Sequence, residues 1–182
     1  MVLNLWRDIP PGDKPPEILN MVVEVISGSR DKYEYHLEWG VFILDRIIHT
    51  STVFPVDYGF IPQTWYHDED PLDIMTLSYE PLEIGCIIKV RPIGVLILED
   101  EKGDDPKILS VPIVDPRFHG ITRLEQVHPH ILIEIREFFE AYKKLEPGKW
   151  VKFKSWEDAE KAKEIVMESI ELFKRKFHGK NL

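Results

Sequence analysis

The stretch Cys86-Ile87-Ile88-Lys89-Val90-Arg91-Pro92-Ile93-Gly94-Val95-Leu96-Ile97-Leu98 is apolar, rich in β-branched side chains and interrupted twice. Apolar β-branched runs suit a strand buried in a sheet. Proline cannot donate to a ladder, and an interior glycine marks a bulge or a close approach. Pro92 and Gly94 together therefore predict a bend within one strand, as at a barrel corner.

Shorter β-type runs lie on either side, at residues 21–26, 32–37, 41–47, 107–113 and 150–154. Ser27-Gly28-Ser29-Arg30 is a turn, and Glu38-Trp39-Gly40 sits where a hairpin needs its tight position. Residues 54–65 hold Pro55, Gly59 and Pro62, which predicts a loop with brief extended pieces. From 130 to 145, apolar residues at 131, 132, 135, 138, 139, 142 and 145 make a helical stripe that Pro147-Gly148 stops. A second helix is expected over 157–177, with Ser155 as candidate N-cap. Pro10, Pro11, Pro15 and Pro16 predict an extended, polyproline-like arm over residues 1–20, leading into one domain from 21 to 182. Strands first and helices last give an α+β class, mainly β: a twisted sheet or small barrel with two flanking helices.

The 182 residues carry 32 Asp and Glu against 23 Lys and Arg, a net charge of −9. That balance argues against a nucleic-acid binder, which needs clustered cations. Cys86 is the single cysteine, so no internal disulfide or cysteine-based zinc site is expected, and its apolar neighbours suggest packing. No apolar run approaches a membrane span, and no signal peptide is visible, so a cytoplasmic protein without a membrane partner is expected.

Nine acidic residues fall in two segments, Asp68-Glu69-Asp70-Pro71-Leu72-Asp73 and residues 99–105. Both read as loops at a sheet edge, and solvated acidic turns are their plain explanation. Two details favour chemistry instead. Carboxylates at this density repel unless a cation or proton lies between them. Trp65-Tyr66 and Ile74-Met75 also place the first segment near the core. An EF-hand does not fit, because Pro71 lies inside the segment and Asp73 stands where glycine is required. Oxygen donors point to Mg2+ or Mn2+ rather than Zn2+. His128-Pro129-His130 is placed as a loop before a helix, not as a ligand pair. Lys32-Tyr33-Glu34, Asp45-Arg46, Asp57-Tyr58-Gly59 and Tyr142-Lys143 add cationic and phenolic donors. Carboxylates for metal, with cations for phosphate oxygens, are the parts of phosphoryl transfer to water.

With these segments in order, the sequence resembles the family I soluble inorganic pyrophosphatases, in their shorter prokaryotic and archaeal form. The Asp-x-Asp-Pro-x-Asp signature at 68–73, a preceding Tyr58-Gly59 and a second aspartate segment at 100–107 carry the resemblance. It implies a five-stranded OB-like barrel and hydrolysis of pyrophosphate to two phosphates. It also implies roughly three to four Mg2+ ions per site, with Mn2+ or other divalent ions possible, and a homo-oligomer, a hexamer. Matched by motif, Asp68, Asp73, Asp100, Asp105 and Glu34 are metal ligands, and Asp70 accepts the proton of a metal-bridged attacking water. Lys32, Arg46, Tyr142 and Lys143 hold phosphate oxygens, with Lys107 near the metal segment. Tyr58 and Glu24 occupy active-site hydrogen-bonding positions. Glu69 departs from the small residue usual there and is expected to add a carboxylate beside the metal site. Two other readings use some of the same parts: a hydrolase of nucleotides or phosphate esters, and an OB-like binding module without catalysis. The first lacks a Gly-rich cradle. The second would carry a basic groove, which this charge opposes.

Overall fold

The computed structural model describes residues 3–177. In chain order the strands are β1 (Leu19–Val25), β2 (Asp31–His36), β3 (Val41–Ile47), β4 (Asp57–Phe60), β5 (Asp73–Thr76), β6 (Ile87–Asp100), β7 (Gly103–Pro112) and β8 (Val151–Glu157). Two α-helices, α1 (Pro129–Ala141) and α2 (Ala159–Phe177), lie before and after β8.

The bend predicted in β6 organises the sheet. Pro92 pairs with Ser110 and Gly94 with Leu109, which leaves Ile93 as an extra residue. One edge of β6 carries β7 along its length. The other edge pairs with β1 over Ile87–Val90, then with β8 from Val95 onward. The bulge lets a single strand close a ring at one end and take an outer strand at the other. The ring runs β1-β4-β5-β7-β6 and back to β1. Its β5–β7 pairing is parallel and the others are antiparallel. A five-stranded closed barrel with two helices is therefore the fold, as expected.

Alternate residues face two cores. Met75, Leu96, Leu98 and Leu109 join Ile135, Phe138 and Phe139 of α1. Ile74, Val95 and Ile108 join Ala162, Ile165, Val166 and Ile170 of α2. Helices on both faces account for the nearly continuous apolar run in β6. Cys86 is half-buried against the second core. Two close approaches seal the barrel. A Cβ on Gly59 would meet the carbonyl oxygen of Val22 at 1.9 Å, and one on Gly94 would meet the side chain of Leu124 at 2.4 Å.

The hairpin β2–β3 forms a separate two-stranded sheet, with Gly40 at φ 67° in its turn. Residues 54–65 are a loop around one brief extended piece, the fully buried β4, as expected. Three expectations change. Residues 99–107 are not a loop but the tight β6–β7 hairpin, with Gly103 at φ 120°. Asp158, not Ser155, caps α2. Its Oδ1 accepts the Lys161 N–H at 2.9 Å, whereas Ser155 belongs to β8. The N-terminal residues form turns rather than an extended arm, because Trp6 is buried against Trp65, Phe173 and Phe177.

Candidate active site

Four parts of the chain converge at one mouth of the barrel. The barrel strands bring Glu24, Tyr58, Asp73, Asp100, Asp105 and Lys107. Asp105 and Lys107 are two apart on β7, so the pleat turns both to one face. The β2–β3 hairpin brings Lys32, Glu34 and Arg46. The segment between β4 and β5 brings Asp68 and Asp70. The end of α1 brings Tyr142 and Lys143, where the backbone N–H of Tyr142 still donates to Phe138 O at 2.8 Å. All but Glu24 line one cleft of about 110 Å³. Glu24 lines an adjoining cleft of about 100 Å³, together with Lys32, Glu34, Tyr58, Asp70 and Asp73. The fold thus brings all thirteen candidate residues together.

Carboxylates and cations interleave. Lys107 is 3% exposed, and its Nζ lies 2.6 Å from Asp73 Oδ2, 3.0 Å from Asp105 Oδ1 and 3.3 Å from Tyr58 Oη. Lys143 Nζ donates to Asp100 Oδ2 at 2.8 Å. Lys32 Nζ pairs with Glu34, and Arg46 pairs with Asp45 and, at 2.7 Å, with Glu146 Oε2. Glu24 Oε1 accepts the Tyr35 N–H at 2.7 Å. The larger cleft is lined by eight carboxylates and six cationic side chains. The acidity seen in the sequence is therefore largely offset by cations from distant segments.

Burial and crowding raise several acids. Burial, then Asp73 and Asp68, push Asp70 up to about 7. Burial, then Asp73 and Asp105, push Asp68 up to about 6. Burial takes Glu24 to about 8. Asp105 is raised by burial and Asp73, with Lys107 opposing. Burial penalises the Lys107 ammonium, but Asp105 and Asp73 outweigh it and hold its pKa well above the ordinary lysine value. Burial opposes ionisation of Asp100 too, but Lys143 and the Lys102 N–H outweigh it and lower its pKa. Burial raises Tyr58 and Tyr142, which keeps both phenols as donors.

Among the described residues, no three acidic, histidine or cysteine side chains form a finished metal cage, and the Lys107 ammonium stands between Asp73 and Asp105. The donors nevertheless suit a hard cation. They are oxygens only, and Asp68 Oδ1 is buried with no hydrogen-bond partner. A buried carboxylate oxygen left unpaired is costly, and a divalent cation would satisfy it.

Glu69 does not add a carboxylate to this cleft. Its φ is 65°, and its side chain is exposed, with Oε1 3.2 Å from Lys176 Nζ on α2. The left-handed backbone turns it outward, which also explains why a small residue suits the slot. Asp45, beside Arg46 in the sequence, and Glu146 hold Arg46, and Glu146 escaped notice in the sequence. Glu146 lies 100 residues from its partner, and no local pattern announces it.

The family model described as inorganic pyrophosphatase matches residues 21–174. The inorganic pyrophosphatase of Haloferax volcanii is 40% identical over 176 residues, covering 97% of this chain and 99% of that protein. That of Aquifex pyrophilus is 42% identical over 172 residues, covering 93% and 97%. The crystal structure of inorganic pyrophosphatase from Thermus thermophilus superposes with a TM-score of 0.92 at 44% identity, covering 94% of this chain and 99% of that one. With the fold, the site and these likenesses in agreement, this chain belongs to the inorganic pyrophosphatase family.

Proposed function

We propose that the chain hydrolyses inorganic pyrophosphate to two orthophosphates in a Mg2+-dependent reaction, with Asp70 as the proton acceptor. The observation that carries this is the interleaving of oxygen ligands with lysine, arginine and tyrosine donors in one small cleft. A volume near 110 Å³ suits a small polyatomic anion. The relatives named inorganic pyrophosphatase and the lack of a Gly-rich cradle in the sequence favour pyrophosphate over a nucleotide.

Asp68, Asp73, Asp100, Asp105 and Glu34 are the residues that would hold Mg2+. When bound, the ions neutralise phosphate oxygens and lower the pKa of the attacking water. Asp70, raised to about 7, is matched to taking a proton near neutral pH. The oxygen of water bonds to one phosphorus, the bridging P–O bond breaks, and the proton passes to an Asp70 carboxylate oxygen. Lys32, Arg46, Lys143 and the Tyr142 hydroxyl hold the phosphate oxygens and offset the charge left on the departing phosphate. Lys107 holds Asp73 and Asp105 in register, and the Tyr58 hydroxyl lies beside it. Glu24 secures β2 through the Tyr35 N–H. A cytoplasmic hexamer is part of the same reading by family likeness.

The test is phosphate release from pyrophosphate with Mg2+, comparing the native chain with Asp70→Asn and Asp105→Asn. Asp70→Asn is expected to lose about 10²-fold or more in kcat, the usual scale for a general base, and Asp105→Asn to lose activity through weakened Mg2+ binding. No release by the native chain, or unchanged rates in both variants, would end this reading. Faster release from ATP than from pyrophosphate would transfer it to nucleotides.

A further inference from the structure

Besides the end of α1, two elements that carry site residues stand outside the closed barrel. One is the β2–β3 hairpin, with Lys32, Glu34 and Arg46. The other is the segment 63–72, with Asp68 and Asp70. A lone hairpin is marginally stable and needs support from elsewhere. Both elements are tied to one short N-terminal stretch, residues 4–8.

On the hairpin side, Asn4 Nδ2 donates to Leu37 O at 2.7 Å, and the Leu5 N–H donates to Tyr35 Oη at 2.8 Å. On the other side, Trp6 O accepts the Gln63 N–H at 2.8 Å, and Trp6 Nε1 donates to Thr64 O at 3.0 Å. Thr64 carries the constraint onward. Its hydroxyl donates to Ile61 O at 2.6 Å and accepts the Leu72 N–H at 2.9 Å, closing the acidic segment at its base.

The stretch is itself rigid. Asn4 Oδ1 accepts the N–H groups of Trp6 and Arg7 at 3.1 and 2.9 Å, and Asp8 Oδ2 accepts the Asn4 N–H at 2.8 Å. Asn4 is 6% and Trp6 5% exposed, and the Trp6 ring meets Phe173 and Phe177 edge-on. Neither Asn4 nor Trp6 lines the clefts that hold the site, whereas Tyr35 lines the smaller one.

We propose that residues 4–8 are a positioning strap, which fixes the spacing between the hairpin that holds phosphate and the segment that holds the proton acceptor. Asn4 and Tyr35 set the hairpin end, and Trp6 sets the other end through Thr64. The kinetic readout rests on the proposed pyrophosphate reaction; the strap itself is read without it.

The experiment is the double variant Asn4→Ser/Tyr35→Phe in the full chain. Serine keeps an acceptor for the turn but is too short to reach Leu37 O. Phenylalanine keeps the ring against Phe42 and Phe60 and loses only the hydroxyl. KM for pyrophosphate is expected to rise by about three- to tenfold per lost bond, and kcat to fall with it, because the spacing of phosphate and proton acceptor matters in the transition state. Amide exchange in β2 and β3 should quicken while β6 stays protected. Simple destabilisation would lower the folded fraction and leave KM of the surviving enzyme unchanged. Unchanged KM, or unchanged hairpin exchange, would overturn the strap. Trp6→Phe is the second variant, should the double variant not fold. It keeps an aromatic ring, loses the Thr64 bond, and is expected to quicken exchange over 63–72; no change there would equally overturn the proposal. If the native chain released no phosphate at all, the pyrophosphate reading would fall, and exchange would still decide the strap.

Discussion

Gly59 and Gly94 both sit where a side chain has no room, yet their neighbours differ. A Cβ on Gly59 meets the Val22 backbone carbonyl, which cannot move without breaking the β1–β4 pairing. A Cβ on Gly94 meets Cγ and both methyls of the buried Leu124 at 2.4–2.6 Å, side-chain rather than backbone atoms. Gly59→Ala is therefore expected to cost on the order of 3 kcal/mol, a fall in Tm of about 6–12 °C. Gly94→Ala should cost less. Thermal melts of the two variants check the ranking. Glu69, a non-glycine at φ 65°, runs the other way. Its contact with Lys176 is exposed and contributes little. Glu69→Gly should gain about 0.5–1 kcal/mol by relieving the left-handed strain. Calorimetry should show Tm rising by about 1–4 °C.

At the scale of elements, legibility followed local pattern. The β6 bend was readable because Pro92 and Gly94 are rare inside strands. The β2–β3 hairpin was readable from Gly40, and both helices from their stripes. β4 was legible only as a brief extended piece, and β5 not at all. Each has only four residues, too few for periodicity to separate strand from loop. The acidic segment at 99–105 was mistaken for a loop because charge suggests solvent, whereas here strand pairing carries the carboxylates and Lys107, Lys143 and Lys154 answer them. The site residues came from ordered motifs, which a sequence displays. The distant partner Glu146, and the anchors Asn4 and Trp6, came from the third dimension.

Over the whole molecule, the crowded acids make stability depend on pH and on metal. Asp68, Asp70 and Glu24 have folded pKa values of about 6, 7 and 8, above their ordinary values. A raised acid holds its proton longer when folded, so the folded state binds more protons across that window. Stability then falls as pH rises from about 4 to 8. Melts in EDTA should show Tm dropping between pH 5 and pH 8. Mg2+ added at pH 8 should restore it, by about 2.7 kcal/mol for one site at a hundredfold excess over Kd. A Tm flat with pH in EDTA, or indifferent to Mg2+, would contradict this. The closed ring has a different consequence, in time rather than in energy. Its last seam joins β1 to β6, and Arg46 meets Glu146 only across 100 residues. Contacts so distant along the chain form late and slowly. The ring is complete only when β1 and β6 are both in place, so activity is expected to return after denaturation no sooner than the barrel closes.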